Sequence, residues 1–479
     1  MASATVLAVL HDHLNSPRGL GALTGAPHSG AAGGAACGDL VRVSVRVEDG
    51  RVVAAGFDSD GCGAAIAAGS AAVELVEGAG LLDAARVGPG EVAAALGGLT
   101  PPKRHAADLA ADALHRALGS AAREVSLAPN PRRTLVAMSG GVDSAAAAQL
   151  ALDAGDEVAA VTLELWADPQ TDGGASCCSP QALVGARALA HEMGIPHLTL
   201  DLRERFRAEV VDDFLAGHLA GRTPNPCVRC NGIVRFDAML ALSDALGAAR
   251  LATGHYARVY HDEEGPLIRQ AADPGKDQSY MLARLEPELL DRLSFPLGEL
   301  RKTAVRALAR DAGLPVADKR ESQDLCFLAG VGRRRFLERR LPHRAGQVVT
   351  RDGRVLGRHD GQAQFTVGQR RGLGVAAPEP LYVLEKDPVA GRVVVGPRAA
   401  LATRRVELED VHLARDGARV DRAKLRYRSR PLPCRLAGGP GAHGRLTLEL
   451  DEPVDGAAPG QTACLMDGDL VVGHGTISC

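Results

Sequence analysis

No stretch of the chain has the uninterrupted apolar length, about 20 residues, that a membrane-spanning helix needs. The N-terminus lacks a basic segment followed by an apolar core, so no secretory signal is read and a cytoplasmic location is expected. Neither sign of charge dominates: 55 Lys and Arg stand against 58 Asp and Glu, a net −3. The total charge therefore does not imply nucleic-acid binding, which would have to rest on local basic patches. Aromatic residues are only 3% of the chain, a compositional bias with no functional reading. There is no internal repeat. Ten cysteines in 479 residues are too sparse for a disulfide framework in a cytosolic chain, so metal binding or thiol chemistry is the better reading. The length implies two to four domains, and 46% hydrophobic with 24% charged residues implies a globular, soluble protein.

The sequence Ser139-Gly140-Gly141-Val142-Asp143-Ser144 organises the rest. The apolar run Thr134-Leu135-Val136-Ala137-Met138 before it reads as a strand, and the alanine-rich Ala145–Leu152 after it as a helix. Two glycines allow a backbone to approach an anion closely, and a helix start offers unpaired N–H groups and a positive dipole end. Asp143 is unusual beside a phosphate unless a metal ion or a local turn uses it. The Gly-x4-Gly-Lys phosphate loop is excluded, because its spacing and its lysine are both missing. SGGxDS resembles the PP-loop of ATP pyrophosphatases, which cleave ATP between the α- and β-phosphates and leave an adenylate. The plain alternative is a Gly-Gly turn.

Upstream, Val41, Val43, Val45 and Val47 alternate with Arg42, Ser44 and Arg46, the period of a half-buried strand. Asp49-Gly50 then predicts a hairpin, and helices are expected over 64–77 and 106–119. Cys37, Asp39, Cys62 and His105 are suitable zinc or iron ligands, with buried free thiols as the alternative. The order Ala-Cys-Gly-Asp, then GCGAAIAAGS, then PPKRHAADLAADAL resembles the iron–sulfur cluster scaffold family (IscU/NifU type) across most of 1–120. The resemblance implies those four residues as ligands of zinc or an iron–sulfur centre. The family's third cysteine, after the histidine, is replaced by Ala106.

Residues 121–131, with Pro129-Asn130-Pro131, read as a linker. Strands at 158–165, 195–200 and 251–256 and a helix at 181–193 alternate over 132–331, which implies a doubly wound α/β parallel sheet. Ligands in such sheets sit beyond the carboxyl ends of the strands. After an arginine cluster (Arg333, Arg334, Arg335, Arg339, Arg340, Arg344), two small β-rich units are expected at 332–398 and 399–479, the last a barrel or sandwich. The cluster fits phosphate contacts or, equally simply, a solvated helix face.

Two further cysteine motifs stand out: Arg222-Thr223-Pro224-Asn225-Pro226-Cys227-Val228-Arg229-Cys230-Asn231, and Glu321–Phe327 with Cys326. A C-x-x-C alone is most often a zinc or redox site. Together with AMSGGVDS, CCS at 177–179, ATGHYARV, KDQSYML, SQDLCFL and FTVGQRRGLGV, residues 132–479 resemble the tRNA-specific 2-thiouridylase family (MnmA type). That resemblance implies ATP-dependent adenylation of the C2 oxygen of a wobble uridine, followed by displacement of AMP by sulfur. It implies ATP and Mg2+ as cofactors, with ATP on Ala137, Met138, Ser139, Gly140, Gly141, Val142, Asp143 and Ser144 and adenosine on Leu163 and Gly254. Asn225, Pro226 and Cys227 are implied at the target base, with His255, Lys276, Asp277, Gln278, Arg426, Tyr427 and Gln461 on tRNA. Cys230 takes the nucleophile position and Cys326 the persulfide position. Many family members carry Asp where this chain has Cys227, so Cys227, Cys230 and Cys326 could instead ligate a [4Fe–4S] cluster; both accounts stay open. The implied partners are tRNA and a sulfur donor such as a cysteine desulfurase or a sulfur relay protein, with no membrane. The rival readings are a PP-loop synthetase acting on a small molecule and a cluster carrier without ATP-dependent catalysis.

Overall fold

The computed structural model describes residues 4–33, 38–168, 180–320 and 325–478. The N-terminal unit begins with helix α1 (Ala4–Asn15) and an antiparallel meander of β1 (His28–Gly33), β2 (Leu40–Glu48) and β3 (Arg51–Asp60). In β2, Val41, Val43 and Val45 are fully buried and Arg42 and Arg46 face water as expected, but Ser44 is buried too, and Val47 is only partly buried where the register with β3 shifts. Asp49 and Gly50 both have positive φ (48° and 73°), which a two-residue hairpin of the right twist requires. Helices α2 (Gly63–Val76), α3 (Leu81–Ala84), α4 (Pro89–Ala95) and α5 (Arg104–Ala121) follow. The two helices expected at 64–77 and 106–119 are α2 and α5. Ala110, Ala113, Leu114, Ala117 and Leu118 recur at helical spacing and are buried, so small side chains let α5 lie close to its neighbours.

The expected doubly wound sheet is present. Strand β4 (Asn130–Ala137) leads to α6 (Val142–Asp153), β5 (Glu157–Glu164), α7 (Pro180–Glu192) and β6 (His197–Asp201). Two bent helical stretches come next. In the first, α8 (Arg203–Phe206) and α9 (Asp212–Leu219) are joined by a π-type turn. In the second, α10 (Pro226–Cys230) and α11 (Phe236–Ala245) are joined by another at Asn231–Arg235. Then come β7 (Ala248–Thr253), the hairpin β8 (Ala257–Asp262) and β9 (Gly265–Gln270), β10 (Leu293–Ser294) and α12 (Lys302–Asp311). The sheet order is β10-β7-β4-β5-β6, with every pairing parallel. Alternate residues feed two cores: Val136, Ala160 and Ala252 pack with α6, α7 and α12, while Leu135, Ala159 and Leu251 face the opposite side with α11. That second core is continuous with the core of the N-terminal unit.

Strand β4 already starts at Asn130, and the backbone N–H groups of Leu127 and Asn130 donate to Ala245 and Gly247 (2.8 Å each). The connection is thus tied to the sheet, because its backbone groups find partners in the turn after α11.

Helix α13 (Arg333–Arg340) opens the central unit, a sheet ordered β12-β11-β14-β13 from β11 (Gly346–Thr350), β12 (Val355–His359), β13 (Tyr382–Asp387) and β14 (Arg392–Gly396). The C-terminal unit holds β15 (Ala402–Leu413), β16 (Arg422–Lys424), β17 (Leu432–Arg435), β18 (Gly441–Asp455), β19 (Thr462–Asp467) and β20 (Leu470–Ile477). Strand β15 pairs with both β18 and β20, which closes a six-stranded barrel and removes its edges. The β8–β9 hairpin adds to this sheet through β9 and β20, so the barrel and the α/β unit share strands.

Candidate active site and metal centre

The phosphate loop lies between β4 and α6. Gly140 has φ 67°, and Gly141 precedes α6, which leaves the first-turn N–H groups open to an anion. Ser144 braces the turn: its Oγ accepts from the Ser139 N–H (3.1 Å) and donates to the Gly141 carbonyl (3.0 Å), with Ser139 Oγ 3.3 Å away. Asp143 has specific partners. Its carboxylate accepts from Lys302 Nζ on both oxygens (2.7 Å each) and from the Tyr256 hydroxyl (2.7 Å). Lys319 Nζ donates to the Gly140 carbonyl (2.8 Å). The loop sequence contains no lysine, yet the fold brings two ammonium groups to it from far along the chain. Sequence reading missed Lys302, Lys319 and Tyr256; the signal available was Lys302 at the start of the strongly amphipathic helix α12.

Gly254 follows β7, and a Cβ there would stand 2.8 Å from Asp143 C and Ser144 N, so its missing side chain lets the strand end meet the loop helix. Leu163, Ala137 and Met138 stand at the carboxyl ends of β5 and β4, where ligands of such sheets bind. Gln278 holds Tyr256 from both sides, accepting from its N–H (2.9 Å) and donating to its carbonyl (2.8 Å). Asp277 accepts from Ser279 and from Lys424 Nζ of β16 (3.0 Å), a buried link to the barrel. The backbone N–H of Lys276 donates to Asp273. His255 is half-buried among Phe236 and Phe295, and burial with Arg235 nearby pushes its pKa down to about 4, so the ring is neutral at pH 7.

The cysteine helix α10 is capped by Asn225, whose side chain accepts from the N–H groups of Cys227 (3.2 Å) and Val228 (3.3 Å). Pro226 occupies the first helical position, where a missing N–H costs nothing. Cys227 and Cys230 are one turn apart; Cys227 is half-exposed and Cys230 buried. The barrel clamps this loop: the Thr223 N–H donates to the Pro459 carbonyl (2.7 Å), and Gln461 Nε2 donates to the Thr223 carbonyl. The buried Tyr280 hydroxyl donates to Thr462 O (2.8 Å), and its ring lies 6.1 Å from that of Tyr427, beside exposed Arg426.

Cys326 is half-buried at the start of a short turn. The next residue, Phe327, sits in a ring cluster with Trp166, Phe206, Phe214 and Phe336 at centroid distances of 5.1–6.2 Å. These five rings meet where β5, the helix before the cysteine loop and the Cys326 turn come together. Cys434 and Cys464 are buried core thiols, with burial pushing each pKa up to about 12. In the arginine cluster, Arg333 donates to Thr366, Arg334 pairs with Glu338, and Arg340 lies over the Trp166 ring. Cys177 and Cys178 lie outside the described residues, as does Cys37.

In the N-terminal unit, Asp39, Cys62 and His105 offer ligand atoms within 4.8 Å of one another. Among the described residues no other His/Cys/Asp/Glu group of three is gathered so tightly, including Cys227, Cys230 and Cys326. The Cys62 N–H donates to Asp39 Oδ1 (3.0 Å), and His105 Nε2 faces Asp39 Oδ2 (3.1 Å). His105 Nδ1 donates to the Pro102 carbonyl (2.9 Å). A carbonyl only accepts, so this bond places a proton on Nδ1 and orients the ring with Nε2 toward Asp39 and Cys62, as the outer hydrogen bond of a metal-ligating histidine does. His105 and Cys62 hold the Asp39 carboxyl below its ordinary range. The donor set of thiolate, imidazole and carboxylate fits zinc or iron. Ala106, in place of the scaffold family's third cysteine, is fully buried on α5.

A strand–SGG–helix phosphate site, a barrel-clamped cysteine helix and an N-terminal ligand triad define a PP-loop ATP-utilising enzyme joined to an iron–sulfur-scaffold-like domain. Residues 132–330 match the family described as tRNA methyl transferase HUP domain, and 7–125 the NifU-like N terminal domain. Residues 334–397 match the tRNA methyl transferase PRC-barrel domain and 410–477 the Aminomethyltransferase beta-barrel domain. The chain is 47% identical over 483 residues to a bifunctional protein NifU/MnmA of Rubrobacter xylanophilus, covering 98% of this chain and 97% of that one. It is 46% identical to a tRNA-specific 2-thiouridylase MnmA of Methylorubrum extorquens, covering 73% of this chain and 94% of the relative. A protein of the same name from Zymomonas mobilis is 43% identical over 72% of this chain. The chain belongs to the family of bifunctional NifU/MnmA proteins. Among the described residues, no helix is long and apolar enough to cross a membrane.

Proposed function

We propose that this protein is a tRNA-uridine 2-sulfurtransferase that makes 2-thiouridine at the wobble position. The observation that carries the reading is one arrangement: a PP-loop with Asp143, Lys302 and Tyr256 in contact, on the same α/β unit as a cysteine helix that the C-terminal barrel holds in place.

The open N–H groups of the loop at 137–144 and its helix start bind the ATP phosphates, with the Ser139 N–H kept for Ser144 Oγ, and Leu163 and Gly254 border the adenosine. The uridine C2 oxygen attacks the α-phosphorus, and pyrophosphate leaves with the electrons of the broken P–O bond. Asp143 would hold the Mg2+ of the nucleotide complex, and Lys302 and Lys319 would supply positive charge for the departing pyrophosphate. Asn225, Pro226 and Cys227 border the target base; His255, Lys276, Asp277, Gln278, Arg426, Tyr427 and Gln461 form or brace the tRNA face. Sulfur then attacks C2, the C2–O bond breaks, and AMP leaves. Holding the sulfur beside the activated carbon makes this step local, which favours the reaction by proximity.

Cys227, Cys230 and Cys326 offer three thiolates, which fits in donor type a [4Fe–4S] cluster bound through three irons. Such a cluster, when bound, would supply an open iron for inorganic sulfide. The half-exposed setting of Cys326 favours a second reading, in which Cys326 carries a persulfide whose outer sulfur attacks C2. Cys230 then attacks the inner sulfur, and the resulting disulfide needs an external thiol to reduce it. The sulfur donor is a cysteine desulfurase or a relay protein. The Asp39, Cys62 and His105 site, with Cys37 as a fourth donor, binds zinc or an iron–sulfur centre.

The test is anaerobic thiolation of unmodified tRNA by the full chain with ATP, before and after iron removal, with either sulfide or a cysteine desulfurase plus cysteine as sulfur source. Product from sulfide that depends on iron supports the cluster account. Product without iron from the desulfurase, which delivers sulfur already at the persulfide oxidation level, and none from sulfide, supports the persulfide account. ATP cleavage to AMP without tRNA, and no 2-thiouridine, would replace both with a small-molecule synthetase.

A further inference from the structure

Helix α5 of the N-terminal unit makes three buried contacts with the α/β unit, and each ends at a different part of the ATP site. Arg116 reaches the carboxylate of Glu164 with both terminal nitrogens, and Glu164 is 3% exposed. Glu164 ends β5, next to Leu163 and two residues before Trp166. His115, fully buried, lies with Nδ1 2.8 Å from the His197 carbonyl and Nε2 3.0 Å from the Val87 carbonyl. The His197 N–H donates to the Ala85 carbonyl (3.0 Å), so β6 hangs from the N-terminal unit by both its backbone groups at this residue. The His197 ring continues the line: Nε2 is 2.8 Å from Thr162 Oγ1, which donates to Met138 O (2.9 Å) at the entrance of the phosphate loop. Finally, Asp112 accepts from Arg187 Nη1 on α7 (2.8 Å). Arg187 is 1% exposed, and the neighbouring Ala186 N would lie 3.3 Å from a Cβ on Gly140.

Gly119 shows how close the approach is, since a side chain there would collide with the Thr199 carbonyl. Removing Arg116 would leave the buried Glu164 carboxylate to the more distant Arg203 Nη1, 3.6 Å away, a costly loss for a charge out of water. The strand end that Arg116 fixes, the carboxyl end of β5, borders the nucleotide site, whereas His197 opens β6 and reaches the loop entrance through Thr162.

We propose that α5 buttresses the adenylation site from behind, with Arg116, His115 and Asp112 as positioning residues that hold β5, β6 and α7, in that order, against the phosphate loop. The N-terminal unit thereby acts on ATP binding directly, apart from any metal or sulfur it handles. The inference rests on the PP-loop reading of residues 137–144.

The test uses the full chain and its variants Arg116→Ala, Arg116→Lys, Glu164→Gln and Arg86→Ala. Arg86 belongs to the same interface but is exposed and contacts the Gly194 carbonyl, away from the loop. ATP affinity is read by equilibrium dialysis and by the fluorescence of Trp166, the sole tryptophan. KM for ATP and kcat are read from AMP release with tRNA, and Tm from thermal unfolding. Arg116→Ala is expected to weaken ATP binding and raise its KM about tenfold, with kcat at saturating ATP nearly unchanged. Arg116→Lys recovers part of the affinity, and Arg86→Ala binds ATP like the parent. A lower Tm with unchanged ATP affinity in Arg116→Ala would overturn the proposal, as would equal weakening in Arg86→Ala. If Arg116→Ala does not fold, the near-isosteric Glu164→Gln decides: weaker ATP binding supports the proposal and unchanged binding overturns it. Binding is read without tRNA, so a parent that binds ATP but makes no 2-thiouridine removes the proposed function while this inference is still decided.

Discussion

Two thiol sites in this chain are built in opposite ways. Cys62 is exposed, and its partners Asp39 and His105 converge on it within 4.8 Å. Cys230 is buried, one turn from Cys227, and among the described residues no carboxylate or imidazole converges on the two with a third ligand atom. The first geometry suits one small ion, which needs mixed donors at short range. The second places two thiols one turn apart, one of them half-exposed, on a clamped loop, an arrangement suited to thiol chemistry on a substrate held beside it. The costs of construction differ as well. One small unit builds the first site by itself. The second draws on the α/β unit for its helix, on the barrel for the clamp at Thr223, and on the ring cluster around Phe327 for the Cys326 turn.

The contrast is broken most sharply by removing one thiol from each site. Cys230→Ala should lower tRNA thiolation by about a thousandfold or more, since a group-transfer step fails when its nucleophile is absent. Bound zinc, measured by chelator competition, should stay the same in that variant. Cys62→Ser should do the reverse: zinc affinity drops by at least about a hundredfold. With sulfide as donor, its thiolation rate should stay within about twofold of the parent, as independent sites behave.

Lys302→Ala tests the loop itself. It leaves the Asp143 carboxylate without its ion pair, and KM for ATP in AMP release should rise about tenfold, the scale of a charged hydrogen bond. Zinc binding should be unaffected.

The pH dependence of stability is a smaller effect. His218, His474 and His255 have pKa values pushed down by burial to about 3, about 3 and about 4, from 6.5. Each folded-state value lies below the unfolded one, so the unfolded chain binds the proton more readily. The stability these rings support is complete above pH 6.5 and is lost as the pH falls toward 3, by up to about 1.4 kcal/mol per pH unit for each ring. Thermal unfolding between pH 7 and pH 4 checks this. A Tm that does not fall over that range would mean these rings are solvated in the folded protein.

Local pattern made much of the fold legible. The valine alternation gave β2, Asp49-Gly50 gave its hairpin, and the apolar run before Ser139 gave β4. Helix α1, strand β1 and the bent helices between Arg203 and Ala245 were not read, because their periodicity is interrupted by the π-type turns or is too short to stand out. The sites divide in the same way. Asp39, Cys62 and His105 were legible as ligand types, and the fold gathers them. Lys302 and Lys319 were not, because they reach the phosphate loop only through tertiary packing of segments more than 150 residues away. The docking of α5 on the sheet was equally hidden: Arg116, His115 and Asp112 read as ordinary polar positions on an amphipathic helix.

The central claim is that this chain couples ATP cleavage to sulfur insertion in tRNA. The most direct measurement counts 2-thiouridine by mass spectrometry against AMP released, with the full chain, unmodified tRNA, ATP, sulfide, a cysteine desulfurase with cysteine, and a reducing thiol under anaerobic conditions, beside Cys230→Ala. The account predicts one AMP per 2-thiouridine, release that requires tRNA, and no 2-thiouridine from the variant. AMP release at the same rate without tRNA, or 2-thiouridine formed equally by Cys230→Ala, would contradict it.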